Sequence, residues 1–261
     1  MPGKYAHYRF GAELLKTLPP EIRRTVNRHR ALYDVGLHGP DIFFYHNPAR
    51  QTAAGALGKK FHHQTGREFF TRACKRHRLE PNEAARAYLY GLLAHYCLDM
   101  LAHPVINHLT REGNPGHIEL ETEFDRYLLE KDGKLPPYAQ DCSRHMVLND
   151  AEAAEAAAFY PGATAGDVAR AVKNMANVSR LLALPAGLPR KALDMGIHTV
   201  ARKYRQFYMT EGPNPSCAHL DAELEAAYTE ALARYPVLLK QIVAYLTCSV
   251  PLGSEFDPEF D

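Results

Sequence analysis

The chain has 261 residues, 46% of them hydrophobic, and a formal net charge of +1. That is enough apolar material for one large core, and a near-neutral balance says little in favour of nucleic acid, whose binders usually carry a strong basic stripe. Five scattered cysteines without C-x2-C spacing exclude a zinc ribbon or disulfide framework and fit a reducing compartment. With no apolar h-region in MPGKYAHYRFGAELL and no run of roughly 18–20 apolar residues, a cytoplasmic protein without a transmembrane segment is expected.

Periodicity predicts helix after helix, hence an all-α fold. Residues 9–17 and 20–31 come first, the second opened by Pro19 and Pro20. Residues 34–54, rich in Gly, Pro and aromatics, read as a loop that presents Asp41. Helices follow over 56–78, 82–109 and, after the Gly113-Asn114-Pro115-Gly116 turn, 117–131. KDGKLPPYAQD is the best candidate for an internal boundary, but composition does not shift across it, so residues 1–250 are expected to be one domain. Later helices are expected over 150–159, 166–183, 188–209 and 218–248. The last carries a core-facing stripe of Leu220, Leu224, Ala227, Ala231, Tyr235, Leu238 and Ile242. Residues 251–261, GSEFDPEFD with its flank, read as a disordered acidic tail.

Within GLLAHYCLDMLAHPVINH, His95, Asp99 and His103 recur at i, i+4, i+8. At 100° per residue they fan over only about 80° and climb roughly 12 Å, so they share one helix face. Two imidazoles and a carboxylate among apolar neighbours need a partner to offset desolvation, and a metal ion serves all three. Core histidines that merely hydrogen-bond are the alternative, weakened by the surroundings. His117 and Glu121 form a second i, i+4 pair, while His7, Asp41 and His62 lie upstream. Eight N/O ligands by residue 121 suit two or three ions better than one. Pro104 removes the hydrogen bond to the carbonyl of Met100, so a kink there would re-aim His103. Other metal architectures fail on spacing: no Glu-x-x-His, no HExxH and no adjacent His-Asp occurs.

The order His7, Asp41 in GPDIFFY, His62, H-x3-D-x3-H and H-x3-E resembles the zinc-dependent phospholipase C family. Its relatives include the zinc-dependent single-strand nucleases, and it resembles glycosylphosphatidylinositol-specific phospholipase D. The resemblance spans residues 1 to about 130. It implies a multi-helix bundle around a di- or trinuclear zinc site that hydrolyses phosphodiesters. Asp41, His62 and His95 would hold one zinc; His103, His117 and Glu121 a second. Asp99 would bridge the first zinc to a third ion, which His7 also binds. The secreted members use an N-terminal tryptophan at the third ion, and this chain has none, leaving the Pro2 amine as a substitute. Their Asp-to-second-His gap is also two residues longer than the one here, which is like that of the phospholipase D member.

In the family picture water between the first and third ions attacks phosphorus in line, and the second ion steadies the leaving alkoxide. Asp41 is the candidate general base; the alternative is that it only tethers metal or caps the loop after Pro40. His62 is preferred over its neighbour His63, since adjacent helical residues point about 100° apart. His108 is expected at the surface. His38 and His46 are loop residues or phosphate contacts, and Phe43, Phe44 and Tyr45 line a pocket or pack the loop. The basic runs Arg23–Arg30 and Arg72–Arg78 read as solvated helix faces. The expected substrate is a phospholipid or small phosphodiester such as a nucleotide, with nucleic acid not favoured. The competing reading is a metal-stabilised, non-catalytic helical protein.

Overall fold

The computed structural model describes residues 3–260 except 80, 112, 114, 218 and 219. Pro2, Asn114, Ala218 at the expected start of the last helix, and Asp261 therefore lie outside the described residues. The fold is all-α: α1 (Lys4–Thr17), α2 (Pro20–Arg28), α3 (Arg30–Gly36), α4 (Ala53–His62), α5 (Gly66–Leu79), α6 (Glu83–Leu109), α7 (His117–Lys131), α8 (Asp150–Ala157), α9 (Ala165–Leu182), α10 (Leu188–Thr199) and α11 (Asp221–Cys248). Among the described residues no helix is long and apolar enough to cross a membrane.

α6 is the axis of the molecule. Asn82 starts it, its side chain accepting from the amides of Ala84 and Ala85 at 2.8 and 3.4 Å. Every residue from Ala87 to Asp99 is buried, as expected of a helix that is apolar on all sides. Pro104 leaves it continuous to Leu109, so His103 keeps its helical position. α3 lies directly on α6 because both surfaces lack a side chain at the crossing. A Cβ on Gly91 would stand 2.2 Å from the Tyr33 carbonyl oxygen, and one on Gly36 2.6 Å from that of Tyr88. α11 covers another side through Leu224, Ala227, Ala231, Tyr235, Leu238 and Ile242, all buried, and the Tyr235 hydroxyl donates to the Tyr90 carbonyl at 3.1 Å.

Four expectations change. α1 begins at Lys4, which brings His7 onto a helix. Residues 34–54 are not simply a loop: α3 occupies their start and a 3-10 turn spans Gly39–Tyr45. The helices expected over 20–31, 56–78 and 188–209 are each broken, the first at His29 between α2 and α3, the second at 63–65 and the third after Thr199, with a 3-10 turn over Arg202–Phe207. Finally, the tail is not disordered. Phe256 and Phe260 are fully buried, the ring of Phe260 lying 4.9 Å from Tyr96 and 5.3 Å from Phe69 between centroids. The Gly66 amide donates to the Pro258 carbonyl at 2.8 Å, and Arg67 pairs with Asp257 at 2.5 Å. Acid–Phe alternation suggested solvation, but the phenylalanines fill a gap beside α5 and α6 while the acids stay outside.

Candidate metal centre

The eight expected residues come together from α1, the 39–45 turn, α4, α6 and α7 as three groups: His7, His95 and Asp99; Asp41, His62 and His95; His103, His117 and Glu121. Within each group one nitrogen or carboxylate oxygen per residue lies within 4.8 Å of the others. Asp99 faces two ways. Its Oδ1 is 3.2 Å from Nε2 of His7 and its Oδ2 3.0 Å from Nε2 of His95. Oδ1 of Asp41 is 2.9 Å from Nε2 of His62. Oε1 of Glu121 is 2.8 Å from Nε2 of His117 and 3.8 Å from that of His103.

Three of the histidines have their other nitrogen pinned by an oxygen acceptor. Nδ1 of His62 donates to the Gly58 carbonyl at 2.7 Å, Nδ1 of His103 to the Phe260 carbonyl at 3.0 Å, and Nδ1 of His117 to Oδ1 of Asn107 at 3.1 Å. In a neutral imidazole this leaves Nε2 as the acceptor, the arrangement that outer hydrogen bonds impose on metal-binding histidines. Each such Nε2 then confronts a carboxylate oxygen, an acceptor facing an acceptor. In the group of His7, His95 and Asp99 and in that of Asp41, His62 and His95 the contacts are close yet poorly aligned. Nε2 of His7, His62 and His95, both oxygens of Asp99 and Oδ1 of Asp41 are buried without a hydrogen-bond partner. A cation between them resolves both facts.

The charge environment agrees. Burial alone would raise the Asp99 carboxyl, but His95, His103 and His7 together hold it well below the usual carboxylate range. Burial pushes the His7 ring below its ordinary value against the pull of Asp99. For His62 burial, which would lower it, is outweighed by the charge of the neighbouring Asp41 carboxylate, and its pKa is raised.

The backbone that carries these groups is shaped for them. Gly39 sits at φ +47°, a conformation that favours glycine, and a Cβ there would lie 2.2 Å from the His95 ring. α1 is held by Asp125 of α7, which accepts from the amides of Tyr5 and Ala6 at 3.0 and 2.8 Å, and by Asp132, which pairs with Arg9 at 2.8 Å. The tail reaches the site twice: the Phe260 amide donates to the His62 carbonyl at 3.2 Å, and its carbonyl accepts from His103.

A cleft reaches the carboxylates of Asp41 and Glu121 from outside, and Lys4 is the lysine or arginine that lines it. Ile118, Leu129, Phe207 and Met209 supply apolar wall. Of the aromatic run, Tyr45 lines the cleft, Phe43 packs on Tyr160 and Phe44 lies over His62 with centroids 5.4 Å apart. His38 also lines the cleft, its Nε2 2.6 Å from Nε2 of His145, whereas His46 bonds Thr52 and Asp167. Burial, with the charge of Arg30, lowers His145 to about 4, so this pair is neutral. His63 is turned outward to Glu259, and His108 is exposed beside Arg111. Neither basic run lines the cleft: Arg28 pairs with Glu83, Arg30 with Asp34, and Arg72 donates to Gln64.

Sequence reasoning missed Lys4, His145, Asp125 and Phe260. Lys4 carried a usable signal, since it lies three residues before His7 on one helix face. The other three meet the site only through long-range contacts.

Four helices and a turn thus converge on clustered imidazole and carboxylate groups at the end of an apolar cleft. The family model described as zinc dependent phospholipase C matches residues 6–174, and the chain belongs to that family. Comparison with curated proteins and with solved structures gave no match.

Proposed function

We propose that the protein is a phospholipase C-like phosphodiester hydrolase holding two or three zinc ions on His7, Asp41, His62, His95, Asp99, His103, His117 and Glu121. The observation that carries this reading is the confrontation of acceptors: pinned Nδ1 atoms leave Nε2 of His62, His103 and His117 facing carboxylates. Bound there, zinc neutralises the oxygens of a diester and lowers the pKa of water towards ~7.

The chain's own groups do the rest. Asp99 turns one oxygen to His7 and the other to His95, which also belongs with Asp41 and His62, tying the two groups together. Asp41 lines the cleft and is the carboxylate placed to take a proton from the attacking water. The Lys4 ammonium is placed for a phosphate oxygen, and Ile118, Phe207 and Met209 shelter an apolar substituent from water. One lysine and an apolar wall favour a phospholipid or small diester over a polynucleotide, which would need a row of cations.

The test is metal analysis together with turnover of phosphatidylcholine, short-chain lipids, bis-p-nitrophenyl phosphate and single-stranded DNA. Two or three zinc ions, at least one lost in Asp99→Asn, and turnover of lipid diesters are expected. Absence of bound metal overturns the reading. Bound zinc with silence on every diester assigns the ions a purely structural role, and efficient DNA cutting without lipid turnover overturns the substrate preference.

A further inference from the structure

α10 is amphipathic in the inverted sense. Leu188, Ala192 and Met195 recur at i, i+4 and i+7, the spacing of one helix face, and that face points to solvent, with Leu188 82% and Met195 66% exposed. Inside lies a cation: Arg190, 2% exposed, donates to the carbonyls of Leu184 and Met209 at 2.9 and 2.6 Å, its guanidinium over the rings of Tyr138 and Tyr208 at 4.2 and 4.8 Å. Val200, 92% exposed, follows the helix, and Leu181, 53% exposed, precedes it. A surface helix that buries arginine and exposes leucine and methionine meets something apolar.

Two observations say what. The first is charge: Lys191, Arg202 and Arg205 are exposed on or next to α10, and of the two acids nearby Glu211 is paired with Arg190 at 3.8 Å, which leaves the cations in excess of Asp194. An apolar strip fringed by cations matches an anionic lipid–water interface. A two-fold pairing with a second copy, by contrast, would bring Lys191, Arg202 and Arg205 of both copies into one interface and concentrate like charge there. The second observation is position. Leu182 and Ala183, next to Leu181, and Phe207 and Met209, just beyond Val200, line the cleft that leads to Asp41 and Glu121. Leu135, 68% exposed, stands two residues before Pro137, which also lines the cleft.

We propose that the outward face of α10, together with Leu181, Val200 and Leu135, is a docking surface that seats the protein on an anionic lipid interface with the cleft opening towards the headgroups. The proposal rests on the reading of a lipid substrate for its purpose, but docking itself requires no hydrolysis.

Flotation with vesicles of phosphatidylcholine containing about 30% phosphatidylglycerol, set against pure phosphatidylcholine, tests it on the full zinc-loaded chain. Binding to the anionic vesicles, weakened by high salt, is expected. Leu188→Ser with Met195→Ser should reduce it roughly tenfold or more, and Lys191→Glu with Arg205→Glu should do likewise, with metal content, circular dichroism and turnover of bis-p-nitrophenyl phosphate unchanged. Wild-type binding by the Leu188/Met195 variant overturns the proposal. So does failure of the wild type to bind either vesicle, including the case in which it forms a dimer that this variant dissolves. Vesicle binding that depends on these residues, alongside silence on every diester, overturns the hydrolase reading and supports the docking surface.

Discussion

At the scale of single residues, helix phase and outer hydrogen bonds separate the histidines that matter from those that do not. His62→Ala, His95→Ala and His117→Ala are expected to lower zinc affinity by at least tenfold. His63→Ala and His108→Ala, whose rings are turned outward, should leave it within about twofold by competition with a chromogenic chelator. Equal losses in both sets would show the assignment of faces to be wrong. Gly39 belongs to the same scale, although it carries no ligand. Gly39→Ala must accommodate a Cβ 2.2 Å from the His95 ring in a left-handed backbone, so loss of metal together with a fall in Tm is expected. His95 is shared by two of the groups, and no ring can move far without disturbing both.

Whole elements bring the ligands into range, and the junction of α1 with α7 illustrates how. Asp125 holds the first amides of α1, so Asp125→Ala leaves them without their acceptor and should cost about 1–3 kcal/mol, read as a lower denaturation midpoint. His7 depends on that junction, and the zinc held with Asp99 should weaken more than the zinc at Glu121. Burial pushes the Asp125 carboxyl up to about 7 from an ordinary value of 3.8. A raised pKa means the folded state holds the proton more tightly than the unfolded one. Its contribution is therefore fully present below about 4 and is lost as pH rises to 7. Denaturation of the metal-free protein from pH 4 to 8 should show this slope in the wild type and a flatter one in Asp125→Ala.

Across the whole molecule, legibility follows distance along the chain. The i, i+4 and i, i+8 spacings on α6 and α7 were readable because a helix converts them directly into a shared face. The start of α7 was readable from the Gly113-Asn114-Pro115-Gly116 turn and that of α6 from Pro81 just before it. The break at 63–65 was legible but missed, since Gly66 follows it and Thr65 accepts from the Glu68 amide at 3.2 Å; the one after Thr199 was not, since no Pro or Gly lies between Thr199 and Phe207. Nor was the tail legible: its phenylalanines find partners on α5 and α6 that lie more than 150 residues earlier. Removing residues 252–261 should therefore act at the site as well as on stability. It deletes the acceptor that orients His103, and the visible spectrum of the cobalt-substituted protein is expected to change, along with a lower Tm. An unaltered spectrum would reduce the tail to packing.

That closure by Phe260 has a consequence for biosynthesis. During translation all eight candidate ligands leave the ribosome about 140 residues before Phe260 does, so a nascent chain carries every donor atom without the contact that aims His103. Ions captured at that stage meet a pliable cluster and exchange freely; ions captured after the tail has docked meet oriented rings. Orientation of His103 thereby waits on residue 260, and a product terminated before it would carry the donor set yet be expected to hold metal less firmly against a competing chelator.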